Sequence, residues 1–554
     1  MDQRIATAAT AVMERVQSRA QRLGMVADGM RLRVAPRLAL SERAEADDAA
    51  AVDWRVLRRP ALLGFLAILS VSIGASLPGS PFKLEMAGTW FFGEPSVFNP
   101  EQVLLLLPGL VAVYGGMLLF VRVWYGLFQT LRHRPGVPIR PLAWMLAAWI
   151  VPLLMVAPLF SRDVFSYAAQ GEMMSHHINP YLYGPGTIGS GQFVNPVDAL
   201  WKNTPAPYGP LFLMVDGWFA SASGHNAMVT VLFLRLLSVV GVGLIAYCIP
   251  KLARAYGRDP ASAFVLAVLN PLTLLALIGG VHNDAIMVGL LVAGITAAKL
   301  KHPVWGVILC TMAAAIKVPA AMGIIYVAWG WAGSGVTWRE RVRPLVKAAL
   351  IALAVMTAFS LISGLGYGWI ANLGTPGTVR SWMAPATGLG LVISGGLHVL
   401  GVGVGLGGVL TVTRLLGLLS AVGVAVYCLK HSQRLGILNA LGISLLMFVL
   451  LGPVVQPWYL TWGIILMAPV VTGRMLTLVL GLSVVAPFIG LTGGASLLHQ
   501  LVLTNPASMV AAVVVLWGVA MFPLGKWTTS WRMIDTSRVT PSPRLASSQP
   551  SGPG

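Results

Sequence analysis

Phe160-Ser161-Arg162-Asp163-Val164-Phe165-Ser166-Tyr167 follows directly on an apolar run, and Gln170, Glu172, His176 and His177 come soon after it. Next stand Asn179-Pro180-Tyr181-Leu182-Tyr183-Gly184-Pro185 and a second Tyr-Gly-Pro at Tyr208-Gly209-Pro210. Aromatic rings, glycines, prolines and isolated amide or carboxylate groups are what a sugar site uses: flat apolar faces and a few directed hydrogen bonds. His176 and His177 lack an i, i+4 partner set for a metal and read as loop or acceptor-site residues. A lone cation stands at Ala315-Ile316-Lys317-Val318-Pro319, in the middle of an apolar stretch. Lys317 either reaches lipid headgroups or is an ammonium held at the mouth of a cavity to bind an anion. The second reading is favoured, because intramembrane ionisable groups are costly without a role.

These residues need elements to hold them. Of 554 residues, 56% are hydrophobic and 10% charged, against about 25% charged in a soluble domain. The mean hydropathy is +0.77. Too little polar material remains to cover a globular surface, which excludes a soluble enzyme. The apolar residues come in long blocks, which excludes a disordered or fibrous chain. The fold class expected is an all-α polytopic integral membrane protein. The net charge of +19 sits mainly in short connections between apolar blocks, the positive-inside pattern. No nucleic-acid-binding spacing accompanies it. Cys248, Cys310 and Cys428 lie in apolar stretches and read as buried spectator thiols.

Spanning helices need about 20 apolar residues. They are expected at 60–77, 102–126, 141–160, 226–250, 261–279, 284–300, 304–316, 318–332, 345–364, 405–429, 437–454, 459–471, 475–492 and 507–525. Residues 1–59 read as a cytoplasmic polar extension, 60–525 as the membrane domain and 526–554 as a disordered cytoplasmic tail. The connections 129–140, 251–259, 299–302, 337–347, 430–435 and 472–474 are basic, and all fall inside if the N-terminus does. The main outer loop is then 161–225 and the second 365–404, with 208–222 and 383–400 amphipathic enough to lie in the interface. The stretch 304–332 runs between two inside loops. It therefore reads as a hairpin of two short helices with Lys317 at the turn.

Asp163 just after a spanning helix, followed by Ser166-Tyr167 and Asn179-Pro180-Tyr181 with Gly184-Pro185, resembles the GT-C superfamily of polyprenyl-phosphate-sugar-dependent glycosyltransferases. Within it the sequence is most similar to the actinobacterial polyprenol-phosphate-mannose-dependent α-(1→6)-mannosyltransferases, the MptA/MptB group, with the MptB type favoured. Val281-His282-Asn283-Asp284, Ile316-Lys317-Val318-Pro319, Gly368-Trp369, Arg380-Ser381-Trp382 and Gln456-Pro457-Trp458-Tyr459 extend the resemblance over about residues 60–525. The resemblance implies a GT-C fold of about 12–14 spanning helices in the plasma membrane, with the active site facing outward. It also implies inverting mannosyl transfer from polyprenyl-phosphate-mannose to a glycolipid acceptor such as mannosylated phosphatidylinositol, in lipomannan and lipoarabinomannan synthesis.

Asp163 matches the family's first-loop acid and is the implied general base. The bland alternative is a helix-capping Asp. Many relatives carry two neighbouring acids there, suited to a divalent cation. Here Arg162 precedes Asp163, which weakens the case for a metal and biases the carboxylate pKa downward. No cofactor is expected, with Glu172, Asp216 and Asp284 left as partners should a cation bind. For the donor phosphate the candidates are Lys317 and Arg380. Arg235 lines the same cavity or pairs with carbonyls in the bundle. His282 and Asn283 contact the phosphate or, with Asp284, cap a helix. Tyr167 is placed with the donor. Glu172, His176, His177, Asn179, Tyr181, Tyr208, Trp382, Gln456, Trp458 and Tyr459 are placed with the acceptor or its loops. Another sugar or acceptor, arabinofuranosyl or protein O-mannosyl, is the alternative within the class. A lipid-linked sugar transporter or flippase is the alternative outside it, hinted at by Arg235 and Arg414 in their apolar runs.

Overall fold

The computed structural model describes residues 55–77, 106–379 and 383–489, and these segments are helical with no strand among them. Residues 1–54, 78–105, 380–382 and 490–554 lie outside the described residues, and with them the expected polar extension, Arg380, Trp382, the expected span 507–525 and the expected tail.

Apolar runs flanked by Arg or Lys become the membrane helices. They are α1 (Arg55–Ser76), α2 (Leu106–Arg132) and α3 (Ile139–Met155), which form the first cluster, with α1 against both α2 and α3. Two helices of the long loop follow, α4 (Asp163–Ser175) and α5 (Pro210–Ala222), packed on each other. Then come α6 (Ala227–Ala255), α7 (Pro260–Ala267), α8 (Asp284–Lys299), α9 (Pro303–Ala314), α10 (Ala321–Trp331) and α11 (Trp338–Ile362). The described residues close with α12 (Pro385–Val399), α13 (Leu406–Lys430), α14 (Ile437–Leu451), α15 (Thr461–Met467) and α16 (Gly473–Ile489). Among the described residues five helices are long and apolar enough to cross a membrane, six if one bent pair counts as a span, and seven more apolar helices are shorter. Leu350, Leu353, Val392, Leu415, Leu416 and Leu419 are exposed along α11, α12 and α13. An apolar surface of that extent suits lipid contact.

The expected span 261–279 is not one helix. Pro271 withdraws a backbone donor, and Asn270 Oδ1 accepts instead from the Leu272 N–H at 2.9 Å. The helix stops at Ala267, restarts as a wide turn over Thr273–Gly279, and then bends by 118° into α8. That bend places Val281-His282-Asn283 at the end of the bundle where α4 begins. The 304–332 hairpin forms as expected, from α9 and α10 with Lys317 in extended conformation between them. Pro319 stands in the first turn of the returning segment, where its missing N–H costs nothing.

Candidate active site

The approach to Asp163 is built from three segments tied by one buried guanidinium. After α3 the chain turns extended at Val156. Arg235 of α6, fully buried, donates to the carbonyls of Leu154 at 3.1 Å, Val156 and Gly279 at 3.5 Å. The Leu159 N–H donates to the same Gly279 carbonyl at 2.8 Å. The strand-like lead to Asp163 is thus joined to the lead to His282. Both leads pass through left-handed backbone, at Phe160 (φ 62°) and Val281 (φ 56°). A β-branched residue there is strained, and such strain gathers where a site fixes its geometry.

Asp163 is the first residue of α4, its N–H donating to Ser161 Oγ at 3.1 Å. The residue before the helix is Arg162, with no side-chain capping bond, so Asp163 does not act as a cap. Its carboxylate lies 3.6 Å from His282 Nδ1, and 22% of the side chain is exposed while His282 is buried. Burial pushes the Asp163 pKa up to about 6, opposed by the nearby Lys317 ammonium and reinforced by Asp284. The expected downward bias from Arg162 is overturned: burial dominates, and the cation that acts on Asp163 is Lys317.

Lys317 Nζ donates to both oxygens of buried Asp284 at 3.0 Å, and Trp462 Nε1 donates to Asp284 Oδ1 at 2.6 Å. The ammonium also lies 4.3 Å from the Tyr459 ring centre, 5.5 Å from Trp462 and 6.0 Å from Tyr208, within cation–π reach. The anion facing Lys317 is therefore a protein carboxylate, and a donor phosphate would be its second. No side-chain cap bond forms at Asn283, and Asp284 spends its oxygens on Lys317 and Trp462. The capping alternative for this motif thus fails.

His282 stacks on Trp458 with ring centroids 3.9 Å apart. Around this stack the side-chain amide of Asn283, Gln456 Oε1 and Trp458 Nε1 are buried without a hydrogen-bond partner among the described residues. Native interiors rarely leave such groups unpaired, and sugar hydroxyls are suitable partners. Tyr167 meets Tyr208 and Phe212 edge-on at 5.1 Å each. Asp163, Tyr167, Tyr208, His282, Lys317, Trp458 and Tyr459 are thus gathered in one place.

Other candidates fall elsewhere. Arg235 is buried and donates to carbonyls, the second of its two expected readings, which corrects its placement among the donor ligands. Arg414 does the same for the second loop, donating to the carbonyls of Gly377 at 2.6 Å and Val379 at 2.8 Å. Both arginines therefore lose their value as hints of a transport pathway. Asn179 Oδ1 accepts from the Tyr181 N–H at 2.9 Å, and Tyr181 OH donates to the Tyr208 carbonyl at 2.8 Å. These two shape the loop. His177 and Asn179 also line a cavity of about 550 Å³ with Ser175, Trp218 and Ser221. Glu172 and His176 lie one helical turn apart near His225, far along α4 from Asp163. Trp462 and His225 escaped sequence reading. Trp462 was findable one helical turn beyond Trp458 and Tyr459, but no local signal marks His225.

The chain is similar over most of its length to known proteins. The model of the alpha-(1->6)-mannopyranosyltransferase N-terminal domain matches residues 61–333, and that of the MptB C-terminal domain matches residues 386–521. A probable alpha-(1->6)-mannopyranosyltransferase of Mycolicibacterium smegmatis is 33% identical over 509 residues, 83% of this chain and 88% of the relative. An alpha-(1->6)-mannopyranosyltransferase of Mycobacterium tuberculosis is 33% identical over 473 residues, 73% of this chain and 77% of the relative. A second from the same organism, alpha-(1->6)-mannopyranosyltransferase A, is 32% identical over 75% of this chain and 81% of its own length. No solved structure matches the chain. With both family models in register along it and relatives covering most of its length, this all-helical membrane chain belongs to the alpha-(1->6)-mannopyranosyltransferase family.

Proposed function

We propose that this mannosyltransferase moves mannose from polyprenyl-phosphate-mannose to an α-(1→6)-mannan acceptor at the outer face of the plasma membrane, in lipomannan and lipoarabinomannan synthesis. The observation that carries the reading is the placement of the Asp163 carboxylate beside a histidine–tryptophan stack and a Lys317–Asp284 pair, where burial pushes its pKa up to about 6. Asp163 takes the proton from the acceptor 6-hydroxyl as its oxygen attacks the anomeric carbon. The bond from that carbon to the phosphate oxygen breaks on the opposite face, so a β-mannosyl phosphate gives an α-mannoside. The lipid phosphate leaves as a stable anion and needs no general acid.

Lys317 stabilises the charge gathered by the departing phosphate, with Asp284 and Trp462 holding the ammonium in place. Asn283, Gln456 and Trp458 supply unpaired polar groups for the mannosyl ring or phosphate. The acceptor glycan runs toward the cavity lined by His177, Asn179 and Trp218, where an exposed indole offers a face for a sugar. The transfer step is written without a divalent cation on Asp163, a reading supported by the Lys317 ammonium that acts on this carboxylate and by the pairing of Asp284 with Lys317. The positive-inside pattern of the connections supports cytoplasmic termini and outward chemistry.

The test is transfer from radiolabelled polyprenyl-phosphate-mannose to a synthetic α-(1→6)-dimannoside by the purified protein. A trimannoside sensitive to an α-(1→6)-specific mannosidase is expected. Labelled product made only with an arabinofuranosyl or peptide acceptor would replace this reading.

A further inference from the structure

We propose that Glu172, His176 and His225 form a site for one divalent transition metal of the zinc type, separate from the reacting centre. Glu172 and His176 are four residues apart on α4, so their side chains share a face one turn apart. His225 arrives from the turn between α5 and α6. His176 Nε2 lies 3.1 Å from Glu172 Oε1, and His225 Nδ1 lies 3.1 Å from Oε1 and 3.0 Å from Oε2. One ligand atom from each residue falls within 4.8 Å of the others. Two ligands about 2.0–2.1 Å from a tetrahedral zinc stand roughly 3.4 Å apart, so small side-chain movements close this triangle around an ion.

The donor chemistry selects the ion. Two imidazoles and a carboxylate suit zinc and its neighbours, whereas calcium and magnesium prefer oxygen ligands. The Glu172 side chain is only 10% exposed, while the two histidines are about half exposed. The buried carboxylate is thus the anchor and the imidazoles close over it. A cavity of about 450 Å³ lined by Glu172, His176, Ser190, Gln192 and Phe193 borders the site, leaving room for a water at a fourth position.

Two features show that His225 is held in place. Its backbone is left-handed, at φ 60°. Gln192 grips the turn on both sides, its Nε2 donating to the His225 carbonyl at 2.8 Å and its Oε1 accepting from the Ala227 N–H at 3.2 Å. These backbone bonds fix the turn that presents the His225 imidazole to Glu172. Glu172 stands nine residues after Asp163 on α4, a rise of about 14 Å. The metal therefore clasps the far end of the helix that Asp163 opens, and its existence does not depend on the role given to Asp163.

The test uses the full chain in detergent, purified through a tag without histidines, stripped with a chelator and titrated with zinc. One tightly bound zinc per chain is expected, together with a zinc-dependent rise in the thermal midpoint of a few degrees. His225→Gly is the informative variant, since glycine relaxes at φ 60° and keeps the turn while removing a ligand. It should fold without zinc and lose both the bound equivalent and the thermal shift. Gln192→Ala should weaken zinc binding about 10- to 100-fold. Absence of zinc binding by the wild type, or an unchanged stoichiometry and thermal shift in His225→Gly, would overturn the site.

Discussion

A base that removes a proton from a sugar hydroxyl works best with a pKa close to the working pH, and Asp163 is held near 6. Below that value it carries its own proton and cannot accept another. The kcat/KM profile should therefore rise through an acid limb near pH 6, not near the ordinary carboxylate value of about 4. Lys317 opposes the effect of burial on Asp163, so Lys317→Met should move the limb to higher pH. The same variant should raise the donor KM, because a phosphate contact is lost. A limb that stays in place would show that the two groups do not share a field. Sequence order pointed to Arg162 as the cation beside Asp163. The ammonium that acts on Asp163 comes instead from a turn far along the chain. That pairing is a product of tertiary packing and left no local mark, whereas Asp163 itself was legible from its place at the head of a helix after a membrane span.

At the level of elements, the site depends on how closely the Tyr208-Gly209-Pro210 loop approaches the Lys317 turn. The Gly209 N–H donates to the Ile316 carbonyl at 3.0 Å and the Leu211 N–H to the Ala315 carbonyl at 3.1 Å. A Cβ on Gly209 would stand 2.2 Å from the Ala315 oxygen, so the loop and the turn meet backbone to backbone. Gly209→Ala should push them apart at a cost of about 1–3 kcal/mol. Activity should fall at least tenfold while the remaining helices keep their thermal transition. Full activity in this variant would mean that the loop can retreat without moving Lys317. The hairpin was legible because two basic connections bracket too few apolar residues for anything but a short excursion. The break at Asn270-Pro271 did leave a mark, an Asn-Pro pair inside an apolar run, but hydropathy alone runs straight through it. Arg235 shows the same limit: its apolar setting marked it as unusual, but only the fold shows that it donates to three backbone carbonyls.

Across the whole molecule, the long apolar helices supply a lipid-facing body, and the polar chemistry gathers where α4, the bend before α8, the α9–α10 turn and the segment after α14 converge. A lipid-linked donor and a polar glycan acceptor call for this division. In the proposed reaction the donor tail would remain beside the apolar helices while its phosphate reached Lys317 at their end. Helix content could be read from hydropathy because lipid imposes long apolar runs on the chain, whereas the breaks inside those runs, as at Asn270-Pro271, could not be read from hydropathy alone. The carboxylate–histidine–lysine arrangement could be read only as separate motifs, since it is assembled from segments brought together by packing. The central claim is that Asp163 is the base for mannosyl transfer, and Asp163→Asn tests it most directly. The variant should bind polyprenyl-phosphate-mannose as the wild type does and transfer mannose roughly 10²–10⁴-fold more slowly. Transfer at near wild-type rate by a folded Asp163→Asn protein would contradict the account.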